Sequence, residues 1–192
     1  MQIGAKEVFS EQAKLVLQPY KMRFEEEMHK AFSQFGPQNG VREAMEYALK
    51  GDGKRFRPAL VYMVADGLKN GCNATPAALA VEYFHTSSLI ADDLPCMDDD
   101  DFRRGRATTH KVYGESVALL ASYALIAAGF EQIAKNEVDD AQVTRLAVLQ
   151  ASKTMGASGL IGGQFYDLFP KNLDKEKNKK QPTSLDPSDH GV

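Results

Sequence analysis

The chain has 192 residues, of which 43% are hydrophobic, and a formal net charge of -3. This length and apolar content predict one domain, or most of one, with a hydrophobic core, and the slight negative charge gives no general attraction to nucleic acid. Only two cysteines occur, neither in a metal-binding spacing, and the N-terminal residues contain no apolar signal core, so we expect a reduced, cytoplasmic protein without an integral membrane segment.

The part of the chain before the aspartates predicts three helices. The first covers 5–35, where Pro19 is expected to break or kink the helix. A second helix is predicted for 41–49, and a third for 58–68 after the basic cluster GKRFRP at 53–58. The apolar residues that define the first helix are Val8, Leu15, Met22, Met28, Phe32 and Phe35. Of these, the methionine and aromatic residues at 22–35 are predicted to belong to the core.

A mostly apolar helix follows and ends in two aspartates. Thr75 is predicted as its N-cap, with Pro76 at the first helical position. His85 lies seven residues before Asp92, so the two side chains share a face. Asp92 and Asp93 stand at the C-terminal end, where the helix dipole disfavours anions. A bound metal is the simplest compensation for them.

The aspartates belong to the segment 92–105, DDLPCMDDDDFRRG, which holds six aspartates and ends in Arg103 and Arg104. Carboxylates at this density repel one another and gain nothing from burial. Mg²⁺ prefers such hard oxygen ligands, and arginines hold phosphate oxygens. The segment therefore predicts a diphosphate–Mg²⁺ site. A solvated acidic loop is the alternative, whereas an EF-hand is excluded because no register supplies both its glycine and its glutamate.

The later part of the chain also predicts helices and no strands. A strongly apolar helix at 115–136 is expected to be buried on most sides. A further helix, capped by Asp139, is expected to run to about residue 169, with glycines that imply close packing or a kink. The fold class is therefore all-α, a helix bundle. From Pro170 the polar, lysine-rich composition predicts a disordered tail, so we expect one domain at 1–169 and a tail at 170–192.

Three motifs, in order, resemble those of the trans-isoprenyl diphosphate synthases, the farnesyl and geranylgeranyl diphosphate synthase family. They are GKRFRP at 53–58, FHTSSLIADDLPCMDDDDFRRG at 84–105 and GGQFYD at 162–167. The resemblance implies a helix bundle of the isoprenoid (terpenoid) synthase type. It also implies a Mg²⁺-dependent prenyltransferase that condenses isopentenyl diphosphate with an allylic diphosphate, giving geranylgeranyl or farnesyl diphosphate.

The resemblance also implies roles for the matching residues. Asp92 and Asp98 would coordinate Mg²⁺ with Asp93 in support, and Arg103 would hold the allylic diphosphate. The isopentenyl diphosphate pocket would be formed by Lys54, Arg57, His85 and Arg104, with Gln164 and Asp167 facing the cavity from a later helix.

Each assignment has a plainer alternative. Lys54 and Arg57 alone could belong to an ordinary solvated helix start, and His85 alone would be a satisfied core histidine. The glycine-rich helix around Gln164 could simply be packing closely.

The resemblance further implies that the residues one turn before Asp92 begin the pocket for the growing chain. Ser87 and Ser88 are small and would leave that pocket open, which favours a longer product. Phe84 and Tyr83, one turn deeper, could floor it.

The chain departs from the family in length and in lacking a second aspartate-rich motif. A truncated product, a fragment, or a subunit completed by another chain would each explain this. We therefore expect a homodimer or a complex with a longer synthase chain, because the apolar helix at 115–136 would otherwise leave an exposed patch. A non-catalytic subunit that modulates a full-length synthase is the second hypothesis. A terpene cyclase is disfavoured, since GKRFRP serves a second diphosphate.

Overall fold

The computed structural model describes residues 5–69, 71–136 and 140–169, and the predicted tail at 170–192 lies outside this range. The chain divides into two compact units, residues 1–148 and 149–192. The helices are α1 (Ala5–Ala31), a 3-10 helix (Phe32–Gln34), α2 (Gly40–Leu49), α3 (Phe56–Leu68), α4 (Thr75–Asp92), α5 (Thr109–Tyr113), α6 (Glu115–Ala134), α7 (Ala141–Met155) and α8 (Leu160–Leu168). The all-α fold class is confirmed.

A short antiparallel hairpin between α4 and α5 was not predicted. It consists of β1 (Phe102–Arg103) and β2 (Arg106–Ala107), in which Phe102 pairs with Ala107 and Arg103 with Arg106. Two-residue strands are too short to show the alternation by which a strand is recognised in a sequence.

Helix α4 is the centre of the first unit and packs against α1, α2, α3 and α6. Its apolar composition predicts this position, because a helix that is hydrophobic all round is buried. The core is formed by fully buried side chains from each of these helices, including Phe24, Met28, Leu49, Tyr62, Tyr83 and Leu125.

Helix α1 differs from the prediction in two respects. It continues through Pro19 without interruption, so the helix does not break there, and a kink at Pro19 stays a prediction. Met22, predicted as a core residue, is 63% exposed, and Leu15 of the same apolar pattern is 71% exposed. Met28 and Phe32 are buried as predicted, which places the core-facing side of the helix in its C-terminal part.

The starts of two other helices differ in detail from the prediction. Thr75 was predicted as the N-cap of α4 but is the first residue of the helix. Its backbone amide donates to the side-chain oxygen of Asn73 at 3.0 Å. Helix α3 starts at Phe56, two residues before Pro58. Proline is still tolerated there because the first turn of a helix has no intrahelical acceptors for its amides.

Helix α6 is buried on one side only. Ala118, Ala121 and Leu125 are fully buried, whereas Leu120 and Tyr123 are 52% and 58% exposed. The prediction of burial on most sides is therefore wrong. By length and composition alone α6 could cross a membrane, and 39% of its apolar window is buried inside the fold.

The last predicted helix is divided. Helix α7 ends at Met155 and α8 begins at Leu160. A Cβ at Gly159 would lie 1.9 Å from the carbonyl oxygen of Thr154, so only glycine allows this close approach of the backbone. The glycines therefore mark a complete break rather than a kink. The predicted cap, Asp139, lies outside the described residues.

Candidate functional site

The aspartate-rich loop folds back onto the C-terminal end of α4. The backbone amide of Asp98 donates to the carbonyl of Asp92 at 2.9 Å, and the amide of Asp99 donates to Leu94 at 3.2 Å. Asp99 adopts a left-handed φ of +55°, which aspartate tolerates better than most residues. These bonds satisfy carbonyls that the helix end leaves unpaired and bring Asp98 next to Asp92 although six residues separate them.

Asp93 is buried and binds Arg103. The Nε and Nη2 atoms of Arg103 each lie 2.7 Å from Oδ1 of Asp93, which is 4% exposed. Burial raises the pKa of Asp93, and the hydrogen bond from Arg103 offsets part of this rise. Nη2 of Arg103 also lies 3.9 Å from a carboxylate oxygen of Asp100. The structure thus places Arg103 within the acidic loop, tied to its buried aspartate.

The turn of the hairpin separates the two arginines. Arg104 and Gly105 both have positive φ, +52° and +79°, which is the pattern that a two-residue type I′ turn requires. Arg103 points to Asp93, whereas Nη1 of Arg104 donates to the carbonyl of Asp52 at 2.7 Å. The turn therefore directs one arginine to the acidic loop and the next to the loop before α3.

The hairpin is held against α2. The hydroxyl of Tyr47 donates to the carbonyl of Ala107 at 2.8 Å, and the guanidinium of Arg106 lies 4.2 Å from the centre of the Tyr47 ring. At the base of the hairpin, the hydroxyl of Thr108 donates to the carbonyl of Asp100 at 2.8 Å. These contacts fix the hairpin on which Arg103 and Arg104 stand.

A basic cavity of about 650 Å³ lies beside this hairpin. It contains all four residues predicted for the isopentenyl diphosphate pocket, namely Lys54, Arg57, His85 and Arg104, together with Lys21, Asp52, Gly53, Arg55, Phe56 and Glu82. Neither Lys54 nor Arg57 forms an ion pair with another described residue. Their charges are therefore available to an anionic ligand, and a solvated helix start does not account for the grouping.

His85 lies where this cavity meets a smaller one of about 70 Å³ that reaches Asp93 and Arg103. Burial and then the charge of Arg57 lower its pKa to about 4. The imidazole is therefore neutral at physiological pH and offers a hydrogen bond rather than a charge. Its position in two cavities distinguishes it from an ordinary core histidine.

Arg55 is the main residue that sequence reasoning missed. It is 5% exposed and forms ion pairs of 2.7 Å with Glu25 of α1 and with Glu82 of α4. The sequence does contain a signal. Glu82 is the only acidic residue between Thr75 and Ala91, and a carboxylate inside an apolar helix needs a buried cation as its partner.

The residues predicted to control product length lie on α4. Tyr83 is fully buried and packs against Phe35 with ring centroids 5.4 Å apart. Phe84 packs against Phe130 of α6 at 5.1 Å. Ser87 is 1% exposed, while Ser88 is half-buried and donates to the carbonyl of His85 at 2.8 Å. Of the four, Ser88 is the most accessible, and the assignment of all four to a pocket stays a prediction.

Two predicted residues belong to the second compact unit. Gln164 and Asp167 both lie on α8. Their predicted place facing the cavity stays a prediction.

The acidic loop fits Mg²⁺ in the kind of ligand it offers. Within the described ranges, no group of three or more His, Cys, Asp or Glu side chains could hold a metal. Mg²⁺ commonly uses only one or two carboxylates and completes its shell with water and phosphate oxygens. Asp92 and Asp98, whose backbones are hydrogen-bonded at the end of α4, offer two such carboxylates, and the carboxylate of Asp93 binds Arg103.

Comparison with known proteins gives a consistent picture. A family model described as polyprenyl synthetase matches residues 38–185. The chain is 43% identical over 160 residues to the heterodimeric geranylgeranyl pyrophosphate synthase large subunit 2 of Arabidopsis thaliana, a match that covers 81% of this chain and 42% of that protein. It is 47% identical over 140 residues to the chloroplastic large subunit 1 of the same plant, covering 70% and 37%.

Among solved structures, the geranyltransferase of Legionella pneumophila matches with a TM-score of 0.77 and 31% identity. The match covers 91% of this chain and 60% of that one. The chain thus spans about two fifths of the length of the two plant relatives.

Proposed function

This chain belongs to the polyprenyl synthetase family, and from that premise we propose that it is an isoprenyl diphosphate synthase, or the N-terminal part of one. It would join isopentenyl diphosphate head to tail to an allylic diphosphate. The all-α helix bundle of the isoprenoid synthase type is confirmed by the family match and the solved structure. The names of the plant relatives support geranylgeranyl diphosphate as the product.

One observation carries the proposal: a basic cavity and an acidic loop lie on the two sides of a single hairpin turn. Lys54, Arg57 and Arg104 line the cavity, and their charges suit the diphosphate of isopentenyl diphosphate. On the other side, Arg103 stands among the aspartates. Two diphosphates are needed for the condensation, and the turn separates two places for them.

In this scheme, residues of the chain bind the two diphosphates and neutralise the negative charge of the one that leaves. Neutral His85 would hold its ligand by a hydrogen bond without adding charge. Asp92 and Asp98 would hold Mg²⁺, which when bound neutralises the negative charge on a leaving diphosphate. Arg103 would add a second positive charge beside that diphosphate, since its contact with Asp93 leaves its guanidinium partly exposed.

The test combines diphosphate binding and turnover. The purified chain would be titrated with pyrophosphate, with and without Mg²⁺, and incubated with labelled isopentenyl diphosphate and allylic starters. We expect binding at the basic cavity without Mg²⁺ and additional, Mg²⁺-dependent binding that Asp92→Ala abolishes. Asp66→Ala, which removes a surface aspartate of α3 paired with Arg23, is the matched control and should leave binding unchanged.

Each outcome has a definite meaning. Prenyl product would establish the activity for this chain alone. Binding without product would identify a half-site that needs further residues from another chain or segment. A wild-type chain that binds no pyrophosphate with or without Mg²⁺ would overturn the proposal.

A subunit function is the second candidate, and the exposed side of α6 favours it. Leu119, Leu120 and Tyr123 are 37%, 52% and 58% exposed, and a patch of this kind marks an interaction surface. Two relatives carry the word heterodimeric in their names. We therefore propose that the chain assembles, either with itself or with a longer synthase chain.

Sedimentation tests this assembly. We expect the wild-type chain to self-associate, or to bind a co-expressed longer synthase, and Leu120→Glu to weaken that association. Leu146→Glu is a suitable control, because Leu146 of α7 is similarly exposed at 49%. A monomer that binds no synthase would contradict the proposal.

The cellular compartment stays a prediction. The sequence leads us to propose the cytoplasm, whereas the name of one plant relative places that relative in the chloroplast. Microscopy of the complete gene product fused to a fluorescent protein distinguishes the two.

A further inference from the structure

The guanidinium of Arg55 binds four partners in three separate segments of the chain. Its Nε donates to Glu25 of α1 and its Nη1 to Glu82 of α4, both at 2.7 Å. Its Nη2 donates to the carbonyls of Leu49 and Gly51 at the end of α2, the latter at 3.1 Å. Arginine has five donors in a rigid fork, and these contacts use at least four of them.

The backbone of Arg55 is as constrained as its side chain. The residue precedes α3 with a φ of +47°, a left-handed conformation that is uncommon for residues other than glycine. Gly53 packs against the same side chain, since a Cβ there would lie 3.0 Å from Nη1 of Arg55. The loop therefore keeps its shape through the contacts of the guanidinium.

Lys54 and Arg57 depend on this loop for their positions. Arg55 lies directly after Lys54 and two residues before Arg57, and both of these side chains are exposed at the basic cavity. Long cationic side chains hold a ligand well only when their backbone origins are fixed. Glu82 lies one turn before His85 on α4, so Arg55 also ties the loop to the helix that carries His85.

We propose that Arg55 is a positioning residue, which sets Lys54 and Arg57 against His85 so that the basic cavity fits a diphosphate. The inference rests on the proposed function and adds a residue that touches no ligand. Glu82 lines the same cavity, and a carboxylate there would repel a diphosphate unless Arg55 neutralised it. Burial alone would lower the pKa of Arg55, but the hydrogen bonds to Glu25 and Glu82 outweigh it, so the pKa is raised and the charge is permanent.

The first experiment replaces Arg55 without removing its charge. Calorimetric titration with inorganic pyrophosphate is done in metal-free buffer, where the acidic loop repels the anion and only the basic cavity competes for it. Arg55→Lys cannot span four partners, so we expect it to weaken pyrophosphate binding by about tenfold. Arg42→Lys is the matched control, because Arg42 also binds a carboxylate and a carbonyl, those of Glu46 and Gly36, and does not line the cavity.

The second experiment uses Glu25, which contacts Arg55 but lines neither cavity near the site. Its removal makes the surroundings of the cavity more positive, so a purely electrostatic role predicts tighter pyrophosphate binding in Glu25→Ala. Positioning predicts weaker binding. Glu26→Ala is the control on the same helix, because Glu26 pairs only with Lys30 among the described residues.

Each measurement is made at a temperature where circular dichroism shows the variant fully folded. Weaker binding in both Arg55→Lys and Glu25→Ala, with unchanged controls, supports positioning. Unchanged or tighter binding in Glu25→Ala overturns it, as does unchanged binding in Arg55→Lys. If Arg55→Lys does not fold, Glu25→Ala decides alone. A wild-type chain that binds no pyrophosphate would overturn the proposed function itself. If Arg57→Ala abolishes binding while Arg55→Lys and Glu25→Ala leave it intact, only the positioning role of Arg55 is overturned.

Discussion

The ring of Phe84 on α4 lies directly over Gly129 on α6. A Cβ built at Gly129 would be 2.5 Å from Cε1 of Phe84 and 2.8 Å from Cζ. Phe84 has little room to withdraw, because its other neighbour, Phe130, is 5.1 Å away between ring centroids. The absence of a side chain at residue 129 thus sets how closely the two central helices approach.

Gly129→Ala should therefore destabilise the fold. Overpacking of a tight core contact typically costs about 1–3 kcal/mol, and we expect a loss of this size in the free energy of unfolding, measured by urea denaturation. Gly67→Ala in α3 is the control, because nothing lies within 4 Å of a Cβ there, and it should gain up to about 1 kcal/mol from helix propensity. Equal stability of the two variants would show that Phe84 moves freely.

Gly53→Ala should weaken diphosphate binding while the fold is retained. A Cβ at residue 53 would lie 3.0 Å from Nη1 of Arg55 and 3.2 Å from Nη1 of Arg104, so at least one guanidinium must move. We expect pyrophosphate affinity in metal-free buffer to fall by about three- to tenfold, in line with the loss of one charge-assisted hydrogen bond. If Gly53→Ala leaves the affinity for pyrophosphate unchanged, the assignment of the basic cavity as a diphosphate site is contradicted.

The titration of His85 should report ligand binding. Burial, followed by the charge of Arg57, lowers its pKa to about 4, and a bound diphosphate should raise that pKa because an anion favours the imidazolium. Proton–carbon NMR of the histidine Cε1 signals measures both values, with His85→Gln used to assign the signal. A pKa near 6.5 in the free chain would contradict the half-buried position of the ring beside Arg57.

The same shift has a consequence for stability. The unfolded chain binds a proton at His85 below about pH 6.5, whereas the folded chain binds it only below about pH 4. The contribution of neutral His85 to the free energy of unfolding is therefore fully present above pH 6.5 and is lost as the pH falls toward 4. His85→Gln should lose stability less steeply than the wild type across this window, measured by urea denaturation at a series of pH values.

Ser87→Phe and Ser88→Phe should behave differently. Ser87 is 1% exposed, and its backbone carbonyl accepts a hydrogen bond from Ser122 of α6 at 2.9 Å. A phenyl ring there should cost about 1–3 kcal/mol through overpacking. Ser88 is half-buried and should accept the ring with a smaller loss. Melting temperatures test the stabilities, and in an active form of the protein Ser88→Phe should shorten the product.

The helices were largely predictable, because their signal is local. Apolar spacing and the glycine and proline positions predicted α2 within one residue and α4 from Thr75 to its aspartates. The failures depend on tertiary contacts. Pro19 stays inside α1, and Leu120 and Tyr123 of α6 are exposed, since composition alone does not say which side of an apolar helix finds a partner.

The candidate site shows the same division. Lys54, Arg57, His85 and Arg104 were predicted as a set and line one cavity. The pairing of Arg55 with Glu82 joins residues 27 positions apart, and local periodicity cannot predict a contact between such distant residues. The hairpin was missed because its strands are only two residues long, although Arg-Gly between them is compatible with a tight turn.

The two-residue turn at Arg104 and Gly105 also limits how this region can change over evolution. Arg103 is the last residue of β1 and Arg104 is the first residue of the turn, where its left-handed backbone directs its side chain away from that of Arg103. An inserted or deleted residue would change the register of β1 against β2, and with it the directions in which Arg103 and Arg104 leave the hairpin. Homologues and engineered variants can therefore substitute residues in this turn, but we expect its length to be invariant wherever both sides are used.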